Sequence, residues 1–404
     1  MKLSRRNLIG TAAAAATLPT VAARAQTPTI KIGVLTDLSG PYQDVAGNVA
    51  IAAAKQAAEE FGSKGFNIEI LSADHQNKPD VGSNVVRQWI DRDGVDLITE
   101  VANSGVSLAV AGVAKEKNKA YLPCGPATSD LTGTACNANT VHWVYDTYML
   151  AKSTGGAMVK AGDDTWFFIT ADYAFGHALT RDVTGFVEGA GGKVLGGVRT
   201  PFPGTTDFSS FLLQAQASGA KVIGLANAGA DTINTIKQAR EFGITQKLGG
   251  LLVFLSDVHS LGLDVCQGLV LTESFYWDMN AGTRAFSERI KAKAPSKRPT
   301  MVQAGTYSAV LHYLKVANAM GAAEAKKDGA ATIARIKATP VEDDCFGKGT
   351  IRADGRKLHP SYLFEVKKPS ESKYAWDYYK LLATTPAEDA FRPLAQGGCP
   401  LIKT

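Results

Sequence analysis

The chain has 404 residues, with 43 Lys and Arg against 38 Asp and Glu and a formal charge of +5. One hydrophobic core saturates near about 250–300 residues, so this length predicts two lobes. Lys2, Arg5, Arg6 and Arg24 carry four of the positive charges in a segment without acids; without it the charge falls to +1, and no basic stripe remains to suggest a nucleic-acid partner.

Residues 1–25 read as an export signal. Lys2, Arg5 and Arg6 form a basic start, Leu8 to Ala23 is uncharged, and Ala23-Arg24-Ala25 offers a small-x-small cleavage pattern. Ser4-Arg5-Arg6-Asn7-Leu8-Ile9 resembles the twin-arginine signal, with an ordinary secretory leader carrying two arginines as the alternative. The uncharged stretch is Ala- and Thr-rich and falls short of the roughly 20 apolar residues of a retained anchor. The expected mature protein starts near Gln26 and is periplasmic.

From there strands and helices alternate. Strands are expected at 30–35, 66–71, 96–101 and 120–124, separated by helices at 47–61, 81–91 and 106–117. A second series follows: strands at 165–170, 193–198 and 221–226, with helices at 176–189, 208–217 and 232–242. Leu251 to Leu255 and Leu269 to Thr272 continue it; the pattern from Ala285 is mostly helical until the strand-like Tyr362 to Val366. Strands alternating with helices of this length imply parallel sheets covered on both faces. The repeat implies two similar α/β lobes.

Five cysteines lie beyond the leader, in a compartment where they can oxidise. Cys124 and Cys136 flank one loop, and Cys345 with Cys399 would tie the C-terminal tail to the body; Cys266 is left as a buried thiol. Connectivity is not fixed by sequence. No pair has the CxxC spacing of a zinc or redox site, and the six histidines have no HExxH spacing, so no metal or cofactor is expected. The chain lacks a GxSxG elbow and a GxxxxGK loop, which argues against an enzyme.

Four segments resemble the periplasmic binding proteins of the branched-chain-amino-acid type. These are Ile32-Gly33-Val34-Leu35-Thr36-Asp37-Leu38-Ser39-Gly40-Pro41-Tyr42, Cys124-Gly125-Pro126-Ala127-Thr128-Ser129-Asp130-Leu131-Thr132, Asp172-Tyr173-Ala174-Phe175-Gly176 and Ala239-Arg240-Glu241-Phe242-Gly243. The likeness runs from about residue 30 to the end. It implies two flavodoxin-like, doubly wound parallel-sheet lobes joined by a three-crossing hinge, with the ligand in the cleft. Lobe one would comprise 28–148 and about 280–340, lobe two 149–279 and about 341–390, and the tail 391–404. It further implies a monomer that closes on a small molecule and hands it to an ABC permease. A periplasmic partner of a receptor kinase is the alternative of another class.

In open parallel sheets ligands sit beyond the carboxyl ends of strands, where helices begin. Asn103 and Ser104 stand at such a point, where a cap and the helix dipole favour a carboxylate. The resemblance places Ser104, Ala127 and Thr128 on the ligand's carboxylate. Tyr42 and Phe175 are candidate aromatic walls from opposite lobes, and Asn227 a polar contact from lobe two. Tyr276, in Phe275-Tyr276-Trp277-Asp278, has hinge packing as its alternative role. Amino-acid binders of this family carry a Glu after the strand near residue 254; here Ser256 takes that position and Asp257 follows it. A buried ammonium without a carboxylate costs several kcal/mol. The pattern therefore favours an aromatic carboxylate, with a branched-chain amino acid or short amide as the alternative and Asp257 as the acid that would serve it.

Overall fold

The computed structural model describes residues 27–403, so the expected export signal lies outside the described residues. In the first lobe β1 (Thr29–Thr36), β2 (Asn67–Asp74), β3 (Leu97–Glu100) and β4 (Ala120–Pro123) form a parallel sheet in the order β2-β1-β3-β4. In the second, β5 (Thr165–Ala171), β6 (Lys193–Thr200), β7 (Val222–Ala226) and β8 (Lys247–Gly249) repeat the winding as β6-β5-β7-β8. Each sheet is all parallel, so helices must cover both faces. Every residue of β3, β4 and β7 is accordingly buried, whereas the edge strands β2 and β6 are only partly so.

A third sheet is antiparallel. It is built from β9 (Val270–Glu273), β12 (Ser361–Val366) and β13 (Tyr379–Thr385); the hairpin of β10 (Val341–Asp343) and β11 (Gly347–Gly349) lies between β9 and β12 in the chain. The Thr272 hydroxyl of β9 meets that of Thr154 at 2.7 Å. Between β9 and the hairpin the chain returns to lobe one. Helix Met301–Met320 starts at a capping box, Thr300 and Gln303, as the T-x-x-Q pattern dictates. The same two side chains reach across to Val45 O (2.7 Å) and Ala46 O (3.1 Å), docking this helix beside helix Gly47–Phe61.

Two sequence expectations need correction, and one strand goes unread. Leu251–Leu255 is not a strand: β8 ends at Gly249, and Leu255 opens helix Leu255–Leu261. These residues are apolar because they are buried, and Asp257 caps the helix by accepting the Phe254 N–H at 3.0 Å. The β10–β11 hairpin lies against helix Met301–Met320, with the Ser308 hydroxyl donating to Asp343 at 2.6 Å. Strand β13 escaped the reading because it is an edge whose middle five residues are exposed.

The cysteine pairing also differs: the disulfide joins Cys136 to Cys399, Cα atoms 5.5 Å apart. Cys124 and Cys345 are buried free thiols, as is Cys266. Cys124 follows β4 into the core, where Sγ lies 3.7 Å from the Thr99 hydroxyl. Burial pushes its thiol up to about 12. Cys136 instead ends a loop against which the tail returns, with Arg392 donating to Ser129 O at 2.9 Å.

Candidate ligand-binding cleft

The loop after β1 turns around Asp37. Its buried carboxylate accepts N–H bonds from Gly40 (2.6 Å) and Tyr42 (2.8 Å) and the Asn77 amide (2.8 Å). A Cβ on Gly40 would lie 2.6 Å from Asn77 Nδ2 and 2.8 Å from both Asp37 oxygens, so only glycine fits the turn that presents Tyr42. Asn77 Oδ1 in turn accepts from Asn103 Nδ2 at 3.1 Å. Asn103 caps helix Ser104–Glu116 through Val106 N–H at 3.0 Å. At this helix start Ser104 Oγ accepts the N–H groups of Ala127 (3.2 Å) and Thr128 (3.1 Å). A hydroxyl, two converging N–H groups and the positive end of a 13-residue helix together make an anion-binding corner.

The floor behind this corner is tight. Glu100 and Val101 both adopt left-handed backbone angles, φ 77° and 62°, which costs on the order of 1–3 kcal/mol for such residues. The turn buries the Glu100 carboxyl completely, with only the Thr36 hydroxyl and the Val101 and Ala102 N–H groups near enough to favour its charged form. Burial raises it to about 8. Gly125 lies directly over it: a Cβ there would be 2.5 Å from Glu100 Oε1. Tyr145 donates its hydroxyl to Gly125 O at 2.5 Å, holding its ring along the wall.

Lobe two supplies the opposite wall. Tyr173 and Phe175 sit at the start of helix Ala174–Gly189, and Ala228, Leu252 and Phe254 complete the surface. The hydroxyls of Tyr42 and Tyr173 meet at 2.5 Å across the interface. Phe202 stacks on Tyr173 at 4.1 Å, and Ala230 N–H donates to Pro41 O at 3.1 Å. Further along, Asp182 accepts from Ser129 (2.8 Å) and Thr147 (2.6 Å), and Arg181 pairs with Asp130 at 3.0 Å. The enclosed space measures only ≈ 20 Å³, room for about one water, so a ring enters only when the lobes part.

Tyr42, Asn103, Ser104, Ala127 and Phe175 line this cavity together. Thr128 stands beside it, its N–H on Ser104 and its hydroxyl capping Asp130 N–H. Three sequence candidates do not line it. The Asn227 amide is consumed by Thr232 (2.7 Å) and Thr235 (3.0 Å). Asp257 serves its own helix, and burial raises it to about 7. Tyr276 donates to Trp376 O at 2.9 Å and packs on Tyr379 under the third sheet.

Sequence reasoning missed Tyr145, Tyr173, Phe254, Glu100 and Asp231. Tyr173 lies inside the Asp172–Gly176 segment already singled out, and Phe254 two residues before the Ser256 position; Tyr145, Glu100 and Asp231 carry no local signal. Asp231 is buried, its Oδ2 has no donor among the described residues, and burial raises it to about 7. It lies near enough to push the Tyr42 and Tyr173 hydroxyls up further, beyond the larger effect of their burial. Among the described residues no three His, Cys, Asp or Glu side chains are placed to hold a metal, and no helix is long and apolar enough to cross a membrane.

Comparison with known proteins identifies the family and the fold. A family model described as periplasmic binding protein matches residues 29–373. A periplasmic binding protein from Burkholderia mallei is 49% identical, with 93% of this chain and 99% of that one covered and a TM-score of 0.89. A branched-chain amino acid ABC transporter periplasmic ligand-binding protein from Burkholderia xenovorans is 42% identical, covering 92% and 99%, with a TM-score of 0.80. An R. palustris solute-binding protein in complex with benzoate shares the fold at 20% identity, covering 89% and 97%, with a TM-score of 0.79. No curated protein matches the chain. The chain belongs to the periplasmic binding protein family, whose members are exported, non-enzymatic carriers of small molecules.

Proposed function

We propose that this protein captures a small organic acid, an aromatic carboxylate in particular, between its lobes and delivers it to an ABC permease. The observation that carries the reading is the corner of Ser104, Ala127 N–H and Thr128 N–H, opening on walls made of Tyr42, Tyr145, Tyr173, Phe175 and Phe254. No residue lining the cavity is acidic or basic, so an anion there is held by N–H groups, a hydroxyl and a helix end. The shared fold with the benzoate complex is consistent with this reading.

The mechanism is hinge closure. With the lobes apart, the ligand's carboxylate takes the two N–H groups from Ser104 Oγ, and the freed hydroxyl turns to donate to it. Charge-assisted bonds of this kind are shorter and stronger than the neutral ones they replace. The ring lies against the lobe-one aromatics until lobe two swings over and excludes water. Micromolar affinity needs about 8 kcal/mol, which a ring and a well-held carboxylate supply.

A second reading, a branched-chain amino acid or short amide, is favoured by Asp231. It is a buried acid with an unpartnered oxygen near the tyrosine pair, where an ammonium or amide N–H would find an acceptor. A thermal-shift screen of the mature chain from Gln26 separates the two, because a ligand that binds only the folded state raises its midpoint. Shifts with benzoate and hydroxybenzoates and none with leucine support the first reading. Shifts with amino acids alone replace it by the second, and shifts only with sugars or other neutral solutes refute both.

A further inference from the structure

A larger cavity lies elsewhere. At the end of lobe two remote from the cleft, a groove of ≈ 700 Å³ opens between helices Gly156–Lys160 and Ala230–Glu241, strand β8 and the third sheet. That volume falls within the roughly 300–1,000 Å³ of small-molecule sites. Its walls are mainly apolar, with Met158, Ile236 and Ile244 on one side and Leu363 and Leu382 on the other. Leu382 remains 44% exposed there, a large aliphatic side chain left in water at the groove's edge.

Two cations line the groove, and they differ. Lys247 is neutralised by Asp163 at 2.7 Å. Arg240 is exposed at the groove's edge, with no acidic partner and no side-chain hydrogen bond among the described residues. It acts on the buried Cys266 thiol, opposing the rise that burial imposes. An unpaired guanidinium beside an apolar groove of this size is complementary to a molecule with a hydrophobic body and one anionic group.

We propose that this groove is a second ligand site, separate from the cleft, for an amphipathic organic monoanion. Its one- or two-ring or branched acyl body fills the space between helix Ala230–Glu241 and the third sheet, and its carboxylate or sulfonate pairs with Arg240. The proposal does not depend on what the cleft binds.

The probe is 8-anilinonaphthalene-1-sulfonate, titrated by fluorescence into the mature full chain. One saturable site is expected. Arg240→Gln weakens it roughly tenfold, the usual effect of losing a charge-assisted bond. Ala161→Trp, at an exposed position on the rim, blocks it, while Tyr42→Phe in the cleft leaves it unchanged. Thermal midpoints report that the variants fold. Failure of the wild-type chain to bind overturns the proposal. So does binding insensitive to both groove variants, or binding lost in Tyr42→Phe.

Discussion

Gly125→Ala tests whether the carboxylate corner is held by backbone packing. The added Cβ would lie 2.5 Å from Glu100 Oε1, 2.6 Å from Ala102 Cα and 2.9 Å from Ala102 Cβ. Reaching ordinary contact at 3.4 Å from Ala102 Cα requires the two backbone segments to part by about 0.8 Å. Those segments carry Ser104 on one side and Ala127 and Thr128 on the other, whose hydrogen bonds already measure 3.1–3.2 Å. Overpacking of this kind costs about 1–3 kcal/mol, a fall of roughly 2–12 °C in midpoint for lobes of this size. The displaced N–H groups lose at least one charge-assisted bond to the ligand, about 1.5–3 kcal/mol, so affinity for the carboxylate falls by tenfold or more. Calorimetry and thermal melts measure both, with Gly112→Ala as the control, since nothing lies within 4 Å of its Cβ. A Gly125→Ala protein that melts and binds like the wild type would refute the reasoning.

Three further outcomes are expected. Glu100, raised to about 8, and Asp231 and Asp257, each raised to about 7, stabilise the fold fully below the ordinary carboxylate range and lose that contribution as pH rises through 7–8. Thermal midpoints should therefore fall from pH 5 to pH 8.5, and Glu100→Gln should narrow that fall while matching the wild type at pH 5; parallel curves would contradict the assignment. Reducing the Cys136–Cys399 bond, which closes a loop of 263 residues, should lower the midpoint by the equivalent of up to about 5 kcal/mol; an unchanged melt in reductant would show that the tail is held without it. Asp182→Ala removes the acceptor shared by Ser129 and Thr147, so solution scattering should report a larger radius of gyration for the free protein; an unchanged radius would show that this contact does not hold the lobes together.

The parts of the site legible in sequence were those set by local rules. Asn103-Ser104 follows a buried strand and opens a helix, and that pattern alone places the cap and the hydroxyl; the two N–H donors, on Ala127 and Thr128, follow from the family resemblance rather than from a local rule. Asp37-Leu38-Ser39-Gly40 is a turn whose chemistry is written in its own residues. What could not be read depended on distant partners or on competition for a side chain. Asn227 and Asp257 are polar residues just past strand-like runs, yet both spend their hydrogen bonds on their own helices. Tyr145 and Phe254 meet only because the lobes fold together, with ring centroids 5.9 Å apart. Glu100 reads as the end of a strand, and only its left-handed backbone turns it beneath Gly125. The Cys136–Cys399 pair joins residues that no spacing rule connects.

The central claim is that the cleft holds a carboxylate without an ammonium partner in its walls. Isothermal titration of the mature chain with 4-hydroxybenzoate and, separately, with leucine tests it most directly. The account predicts saturable one-to-one binding of the aromatic acid and none of leucine. Tight binding of leucine with no heat from aromatic acids would contradict it and point to Asp231 as the group that receives the ammonium.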